Sequence, residues 1–518
     1  MNSISSSKQR KAGVILQYMQ MGLSILIQLV YTPIMLRILG DNEYGIYSVS
    51  NSIISYLSLL SLGFGASYIR FYSIYKKNQD EEKIKHLNGM YLSVFMVIGV
   101  IALVAGLILS QNVSIFYNDT YTNEDLYIAK ILMIFLSINL AISFPSSVFT
   151  SYITSQEKFI WQKIINMFTT VLSPAVNIIL LYLGYGSIGM VITTTSISIL
   201  VMIVNIWFCL RKLNMKISFR QFDWSLFKDI FVFSIFIAIN EIVNQINWQT
   251  DKVILGKIAT GTAVAVYSVA ANINTMFTNF STAISSVFSP KVNMIVQVND
   301  PDANDQLTQL FIKVGRIQWF LLSLILTGFI FFGQFFIKKW AGEGYGDSYY
   351  VALLLMAPAM IALCQNIGIE IQRAKNKHKF RSIVYLFMAL INVGISIWFA
   401  YLWGVIGVAV GTTISLLLAN GLIMNIYYHK VIGINVIKFW KSILKSSLSF
   451  IIPVAAGILM MIFYDFKSLW DFCGLIIAYS LIYCLSVYFL GLNKEEKGKI
   501  KEIKNKLFKK KEKQEGTN

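Results

Sequence analysis

Long apolar runs follow one another along almost the whole chain and are separated by short charged stretches. A helix that crosses a membrane needs about 20 mainly apolar residues, because each residue advances about 1.5 Å through a hydrocarbon core about 30 Å thick. Of the 518 residues, 56% are hydrophobic and only 14% are charged. The sequence therefore predicts an all-α polytopic membrane protein with about 14 transmembrane helices. The predicted spans are 12–36, 44–74, 87–109, 126–153, 160–184, 187–210, 228–250, 262–289, 311–337, 349–371, 380–402, 404–428, 438–463 and 467–490.

Lysine and arginine are distributed unevenly between the two sides of this arrangement. With the N-terminus placed inside, the inward segments and the tail hold 36 of the 44 basic residues, and the outward loops hold seven. An excess of basic residues is typical of cytoplasmic loops. We therefore expect a multi-pass membrane protein with both termini in the cytoplasm. The net charge of +18 then favours anionic membrane lipids as the partner, and not nucleic acid.

Three short motifs recur in the second half of the chain. The triplet ILG begins at positions 38 and 254, the triplet YSV at 47 and 267, and "GSIGMVITTT" at 186 matches "GVIGVAVGTT" at 404. Because six spans separate the copies, both halves have the same orientation, and two six-helix lobes around a central cavity are expected. The predicted domains are an N-terminal lobe at 1–225, a C-terminal lobe at 226–430, two additional spans at 431–493 and a basic cytoplasmic tail at 494–518.

These motifs carry a family resemblance. The segments "RILGDNEYGIYS" and "DKVILG…VYSVAANI", with the glycine-rich links before the sixth and twelfth spans, resemble Wzx-type flippases of the multidrug/oligosaccharidyl-lipid/polysaccharide exporter superfamily. The resemblance implies a cavity between spans 1, 2, 7 and 8. It also implies a location in the bacterial inner membrane. There the protein would translocate undecaprenyl-diphosphate-linked oligosaccharide to the outer leaflet, for O-antigen or capsule biosynthesis alongside other polysaccharide assembly proteins. A monomer is expected, because one chain supplies both lobes.

Spans 7 and 8 are unusually polar for membrane helices. Their polar side chains recur every three or four residues, which places them on one helix face. Such a face is costly against lipid and predicts a hydrated cavity, where amides and aromatic rings suit sugars. For any single residue, a hydrogen bond to a neighbouring helix is an equal alternative. The predicted substrate residues are Asn51, Tyr56, Arg70, Asn240, Asn244, Trp248, Lys252, Asn272 and Asn279.

Three charged residues carry the sharper hypotheses. Glu241 lies near the middle of span 7, where a carboxylate must be paired, hydrated or protonated, so it is a candidate for proton or sodium coupling. A fixed ion pair or a hydrogen bond to sugar is the alternative. Asp251 is a second coupling candidate, although the outer end of the span can also be interfacial. Arg70 is a candidate ligand of the diphosphate, because its guanidinium can form charge-assisted, forked hydrogen bonds. The alternative is that its side chain extends to the membrane interface and has no function in transport.

Other function classes fit less well. A drug/cation antiporter of the same superfamily would also use Glu241, but it usually has twelve spans. A glycan polymerase or transferase needs a large outer loop with clustered carboxylates or arginines, and a major-facilitator protein needs a GxxxDRxGRR-like loop after span 2. Neither feature is found in the sequence. The four cysteines lie in apolar segments and the three histidines in separate loops, so no metal site, cofactor or enzyme activity is expected. The sequence leaves open the alternative that the protein is a non-transporting scaffold in an export complex.

Overall fold

The computed structural model describes residues 6–219, 223–298, 300–464, 468–498 and 501–502. Most of the predicted basic tail therefore lies outside the described residues. Within them there is no β-strand, and the predicted all-α class is confirmed. The α-helices are α1 (Ser6–Tyr56), α2 (Phe64–Lys77), α3 (Glu81–Gln111), α4 (Asn123–Ser155), α5 (Phe159–Tyr182), α6 (Gly186–Trp207), α7 (Trp224–Ile258), α8 (Gly261–Gln297), α9 (Ala303–Trp340), α10 (Ser348–Cys364), α11 (Ile367–Ala374), α12 (Lys379–Leu416), α13 (Met424–Tyr427), α14 (Val436–Ser447), α15 (Ile451–Phe463) and α16 (Leu469–Ser486).

Nine helical segments of the described chain are long and apolar enough to cross a membrane, or ten if the bent pair α10 and α11 forms one span. This confirms a polytopic membrane protein. Two segments are much longer than one crossing, namely the 62 residues of Leu16–Lys77 and the 54 residues of Lys379–Ile432. The first breaks at Gly40 (φ 75°) and the second at Gly404 (φ 56°), values that residues with a Cβ rarely adopt. Gly40 lies in the predicted link between spans 1 and 2, and Gly404 is the first residue of the predicted span 12.

The polar helices α7 and α8 are not among these nine segments. They carry most of the residues that the sequence assigns to the cavity, and their amides and carboxylates lower the mean hydropathy. The full count of fourteen spans therefore stays a prediction.

Close Cα packing divides the chain into two compact units, which do not follow sequence order. The first unit comprises Met1–Ile273, Lys338–Ala352 and Phe380–Ser415, and the second comprises Asn274–Ile337, Leu353–Lys379 and Leu416–Asn518. The predicted lobes at 1–225 and 226–430 are consecutive in sequence, and their boundaries stay a prediction.

In the first unit, an aromatic core joins α2, α3 and α4. Tyr68 is fully buried, and its ring lies edge-on to that of Tyr91 with 5.0 Å between centroids. Its hydroxyl donates a 2.5 Å hydrogen bond to Oδ1 of Asn88, whose Nδ2 donates to the backbone oxygen of Lys216 at 2.8 Å. Because Asn88 is itself buried, both bonds satisfy polar atoms that would otherwise be costly to bury. They tie the segment after α6 to α3.

In the second unit, α9 packs on α14 and on the segment that follows α16. The rings of Phe311 and Phe439 are 4.7 Å apart at the buried contact between α9 and α14. Five residues further along α9, the guanidinium of Arg316 forms two 2.8 Å hydrogen bonds with the carboxylate of Glu496 and donates to Gly491 O, also at 2.8 Å. A planar guanidinium that binds a carboxylate at two points fixes both partners. The chain after the last apolar segment is thus anchored to α9.

Candidate functional site

Side-chain hydrogen bonds join α7 to the end of α1 in the first unit. Tyr56 and Thr250 share a hydrogen bond between their hydroxyls. Nε2 of Gln245 donates to Oγ of Ser58, just beyond α1, at 2.8 Å. Part of the polar surface of α7 therefore binds a neighbouring helix, which is the alternative that the sequence left open for each residue.

Asp251 is the buried carboxylate of this unit, with 1% of its surface exposed. The hydroxyl of Tyr267 on α8 and that of Thr412 on α12 both donate to its Oδ2, the latter at 2.8 Å. Its Oδ1 is buried and has no hydrogen-bond partner among the described residues. A buried carboxylate with an unpartnered oxygen is costly unless a proton or a cation compensates it. Asp251 is thus enclosed by three helices and does not lie at an exposed helix end.

The surroundings of Asp251 are rich in oxygen atoms. Oγ of Ser396 donates to Oδ1 of Asn392 at 3.2 Å and lies 3.4 Å from the backbone oxygen of Val408. Thr412 Oγ1 lies 3.4 Å from the same Oδ1, so the network links both sides of the α12 break at Gly404. Oxygen ligands suit hard cations, and carbonyls at helix interruptions bind coupling ions in transporters.

One negative charge in this network matches one monovalent cation or one proton. In the described part of the chain, no group of three or more His, Cys, Asp and Glu side chains is placed to hold a metal ion. Among the described residues, Asp251 is therefore the single carboxylate of its network.

Glu241 lies on the same helix but in a different environment. It is exposed, and it forms no ion pair among the described residues. Ten residues separate it from Asp251, which corresponds to about 15 Å along the helix axis. The two coupling candidates of α7 are therefore separate sites, of which only Asp251 is enclosed.

Three other predicted residues of α7, and Arg70 on α2, lie at exposed positions. Asn240 and Asn244 are exposed, and Asn240 Oδ1 accepts a 3.0 Å hydrogen bond from Ser382. The indole of Trp248 is 42% exposed. Arg70 on α2 is also exposed, and its guanidinium carbon lies 4.2 Å from the ring centroid of Phe233 on α7. This cation–π contact holds the guanidinium in place while its N–H groups keep their donor capacity.

The other predicted residues are half-buried. Asn51 and Lys252 lie in the first unit, and Lys252 forms no ion pair within the described ranges. Nδ2 of Asn272 donates to the hydroxyl of Tyr44 at 3.1 Å. Asn279 belongs to the second unit, where its backbone oxygen accepts a 3.1 Å hydrogen bond from Thr282. The roles proposed for these residues stay predictions.

Four residues around Asp251 were missed by reasoning from spans 1, 2, 7 and 8. Tyr267 and Thr412 lie inside the repeated motifs "YSV" and "GVIGVAVGTT", so the repeat itself contained the signal. Asn392 and Ser396 lie in the predicted span 11, four residues apart in an apolar run. That spacing places them on one helix face, where polar groups are costly against lipid.

Comparison with known proteins agrees with this architecture. The family model for polysaccharide biosynthesis proteins matches residues 11–296, more than half of the chain. A Shigella flexneri protein named as a candidate O-antigen transporter is 21% identical over 400 residues, covering 76% of this chain and 91% of that protein. The lipid II flippase MurJ in its inward closed conformation superposes with a TM-score of 0.72 at 18% identity, covering 92% of this chain and 97% of that one.

A transporter of the multidrug resistance MATE family, from the MOP superfamily and in its inward-facing conformation, superposes with a TM-score of 0.62. It is 15% identical, and the match covers 81% of this chain and 96% of that one. These two likenesses show the fold, which a lipid flippase and a multidrug transporter share.

Proposed function

This chain belongs to the polysaccharide biosynthesis protein family, and from that premise we propose that it flips undecaprenyl-diphosphate-linked oligosaccharide units across the bacterial inner membrane. The units move from the cytoplasmic to the outer leaflet by alternating access, and surface polysaccharide assembly consumes them. The observation that carries the proposal is a fold like that of a lipid flippase over 92% of the chain. A relative that is named for O-antigen transport supports a glycan-bearing substrate.

Asp251 is the proposed coupling residue. An ion that drives transport has to be enclosed in one conformation and released in another, and its binding shifts the population between the two. The Asp251 network joins α7, α8 and both sides of the α12 break, so a bound cation or proton acts on several elements together. Glu241 stays a second candidate, although its exposure makes it less suited to hold an ion.

Arg70 is the proposed partner of the diphosphate. Its guanidinium offers several N–H donors in a planar fork that matches phosphate oxygens. The other residues of the predicted cavity are proposed to contact the sugars, namely Asn51, Tyr56, Asn240, Asn244, Trp248, Lys252, Asn272 and Asn279. Membrane lipids surround the protein, and a monomer is proposed to suffice.

The experiment that tests the function is translocation in proteoliposomes. Fluorescent undecaprenyl-diphosphate oligosaccharide is incorporated, and its accessibility in the outer leaflet is followed with and without an imposed proton or sodium gradient. We expect transfer that depends on the protein and on one of the two gradients. Absence of transfer by a folded protein in either gradient would contradict the proposal.

A drug/cation antiporter is the second candidate, because the fold also matches a multidrug transporter. That match covers 81% of this chain, against 92% for the lipid flippase, and the predicted terminal spans exceed the usual twelve of that branch. Export of a cationic dye from the same proteoliposomes, without any transfer of lipid-linked glycan, would favour the antiporter.

A further inference from the structure

A cavity of about 580 Å³ lies between α4, α5 and α6 in the first unit. None of the residues discussed above lines it. Eleven of its fourteen lining residues are serine or threonine, and the other three are Ile142, Ile197 and Val201. No charged residue is among these described lining residues. The volume lies in the range of about 300–1,000 Å³ that is usual for ligand sites.

The hydroxyl groups come from one face of each helix. On α4, Ser143, Ser147, Thr150 and Thr154 line the cavity, and their spacing of four, three and four residues defines a single face. The hydroxyls extend over about 16 Å along this helix. Uncharged hydroxyls on three neighbouring helices therefore converge on one open, polar cavity between these helices.

The outer surface of α5 differs from its cavity face. Large apolar side chains such as Phe168 and Ile179 are 55% and 58% exposed, as is typical of a surface that faces lipid. Thr170 and Ser173 line the cavity instead. The hydroxyls are therefore turned away from the apolar surface of this helix.

Most of these hydroxyls already donate a hydrogen bond within the protein. Seven of the eleven donate to a backbone oxygen of their own helix, as Ser147 does to Phe144 O at 2.6 Å and Thr194 to Met190 O at 2.8 Å. A hydroxyl that donates in this way keeps its lone pairs for a ligand. The cavity surface is therefore dominated by hydrogen-bond acceptors.

The other hydroxyls of the cavity add adaptable groups. Ser146, Ser151, Ser173 and Ser198 have no side-chain hydrogen bond within the described chain, so they can donate or accept. An acceptor-rich, uncharged surface selects a neutral ligand with many O–H or N–H donors. A diphosphate would find no cation here, and an apolar lipid chain would leave these four serine hydroxyls without partners.

We propose that this cavity binds sugar residues of the glycan that the lipid carries. The inference rests on the proposed function, because the transported lipid supplies the sugars. Sugar hydroxyls are the donors that the surface lacks, and the three aliphatic side chains contact the C–H groups of the ring. Thr154 lies near the turn between α4 and α5, which the predicted orientation places on the cytoplasmic side where the substrate enters.

Cysteine protection tests the site directly. Ser173→Cys is introduced after the exposed Cys473 and Cys484 are replaced by serine, and its reaction with a small methanethiosulfonate reagent is timed. At saturating ligand we expect undecaprenyl-diphosphate oligosaccharide to slow the reaction about tenfold. Undecaprenyl diphosphate without sugar should not slow it. Equal protection by both lipids, or by neither, would overturn the glycan site.

A neighbouring pair of threonines supplies the matched control. Thr194 lines the cavity, whereas Thr193 does not and donates to Gly189 O at 2.9 Å in the same way. Thr150→Val combined with Thr194→Val should slow translocation of the glycan-bearing lipid by about tenfold, and Thr193→Val should not. Equal effects of the two would contradict the proposal. Protection reports binding, so the glycan site remains testable even if the wild-type protein translocates nothing and the proposed function fails.

Discussion

Thr412 donates a 2.8 Å hydrogen bond to Oδ2 of Asp251, which joins two residues 161 positions apart inside one buried network. We predict that Asp251→Asn removes the gradient dependence of translocation, because the amide keeps the shape of the side chain but carries no charge to balance an ion. Thr412→Val should lower the apparent affinity for the coupling ion by about 10–100-fold, as is usual when a group that orients an ion ligand is lost. Proteoliposome translocation at graded sodium or proton gradients measures both effects.

Glu241→Gln is the matched control for the coupling prediction, because it neutralises a carboxylate on the same helix at an exposed position. Gradient dependence should persist in this variant. If Glu241→Gln removes it and Asp251→Asn keeps it, coupling belongs to the exposed carboxylate, and the enclosed network is structural.

The sequence predicts the helical class, the membrane location and the span boundaries near Gly40 and Gly404, because the length of an apolar run is a local property. It also indicates Asp251 as a coupling candidate. It does not predict that Asp251 is enclosed, since Tyr267 and Thr412 reach it from helices that are distant in sequence. The period of one helix gives its faces, but not the neighbour that each face meets.

The hydroxyl cavity illustrates the same limit. Its periodic serines and threonines are visible in α4, but hydroxyl groups in apolar helices commonly bond to their own backbone. Only the convergence of α4, α5 and α6 shows that Thr150 and Thr194 line one space. The resemblance to polysaccharide exporters is confirmed by the family match, whereas the residues that bind substrate stay predictions.

Gly45, in the motif after the first span, approaches a second backbone closely. A Cβ at this position would collide with the carbonyl group of Gly261, at the start of α8. Gly45→Ala should therefore destabilise the fold by roughly 1–3 kcal/mol through overpacking. Thermal unfolding in detergent should show a lowered transition temperature.

Gly22 provides the control for this substitution, since it lies in the same helix and a Cβ there would meet nothing within 4 Å. Gly22→Ala should leave the transition unchanged or raise it slightly, because alanine favours helix. Equal losses at both positions would mean that the approach of α1 to α8 is not tight.

Glu496 anchors the segment after the last apolar helix by binding Arg316, and their side chains are only 14% and 8% exposed. Burial alone would raise the pKa of Glu496, but hydrogen bonds from Arg316 and from the backbone of Asn493 outweigh it and lower the pKa below its ordinary value of 4.5. A lowered pKa stabilises the native state above the unfolded value and loses that effect as the pH falls. The anchor should therefore hold at neutral pH and weaken below about pH 4.5.

Glu496→Gln should weaken the anchor at neutral pH by roughly 2–3 kcal/mol, the range for hydrogen bonds to charged groups. Faster hydrogen–deuterium exchange of residues 493–498 would report the loss. Glu495, which pairs with Lys313 and is 66% exposed, is the control, since exposed pairs contribute at most about 1 kcal/mol. If Glu495→Gln and Glu496→Gln accelerate exchange equally, the buried pair is not the anchor.

Substitutions of Arg70 can distinguish a residue that binds the diphosphate from one with a purely interfacial role. If its guanidinium binds the diphosphate, Arg70→Gln should weaken binding of undecaprenyl diphosphate by about 10–100-fold, as expected when a charge-assisted bond is lost. Arg70→Lys should keep only part of this binding affinity, because an ammonium lacks the planar fork.

Arg381, which lies 4.5 Å from the ring of Tyr385, is the matched control, because Arg381→Gln also removes a ring-stacked arginine. Binding of a fluorescent undecaprenyl diphosphate to each glutamine variant in nanodiscs measures the difference. A similar loss in both glutamine variants would indicate general electrostatic attraction, whereas a loss confined to Arg70→Gln would assign the diphosphate to this residue.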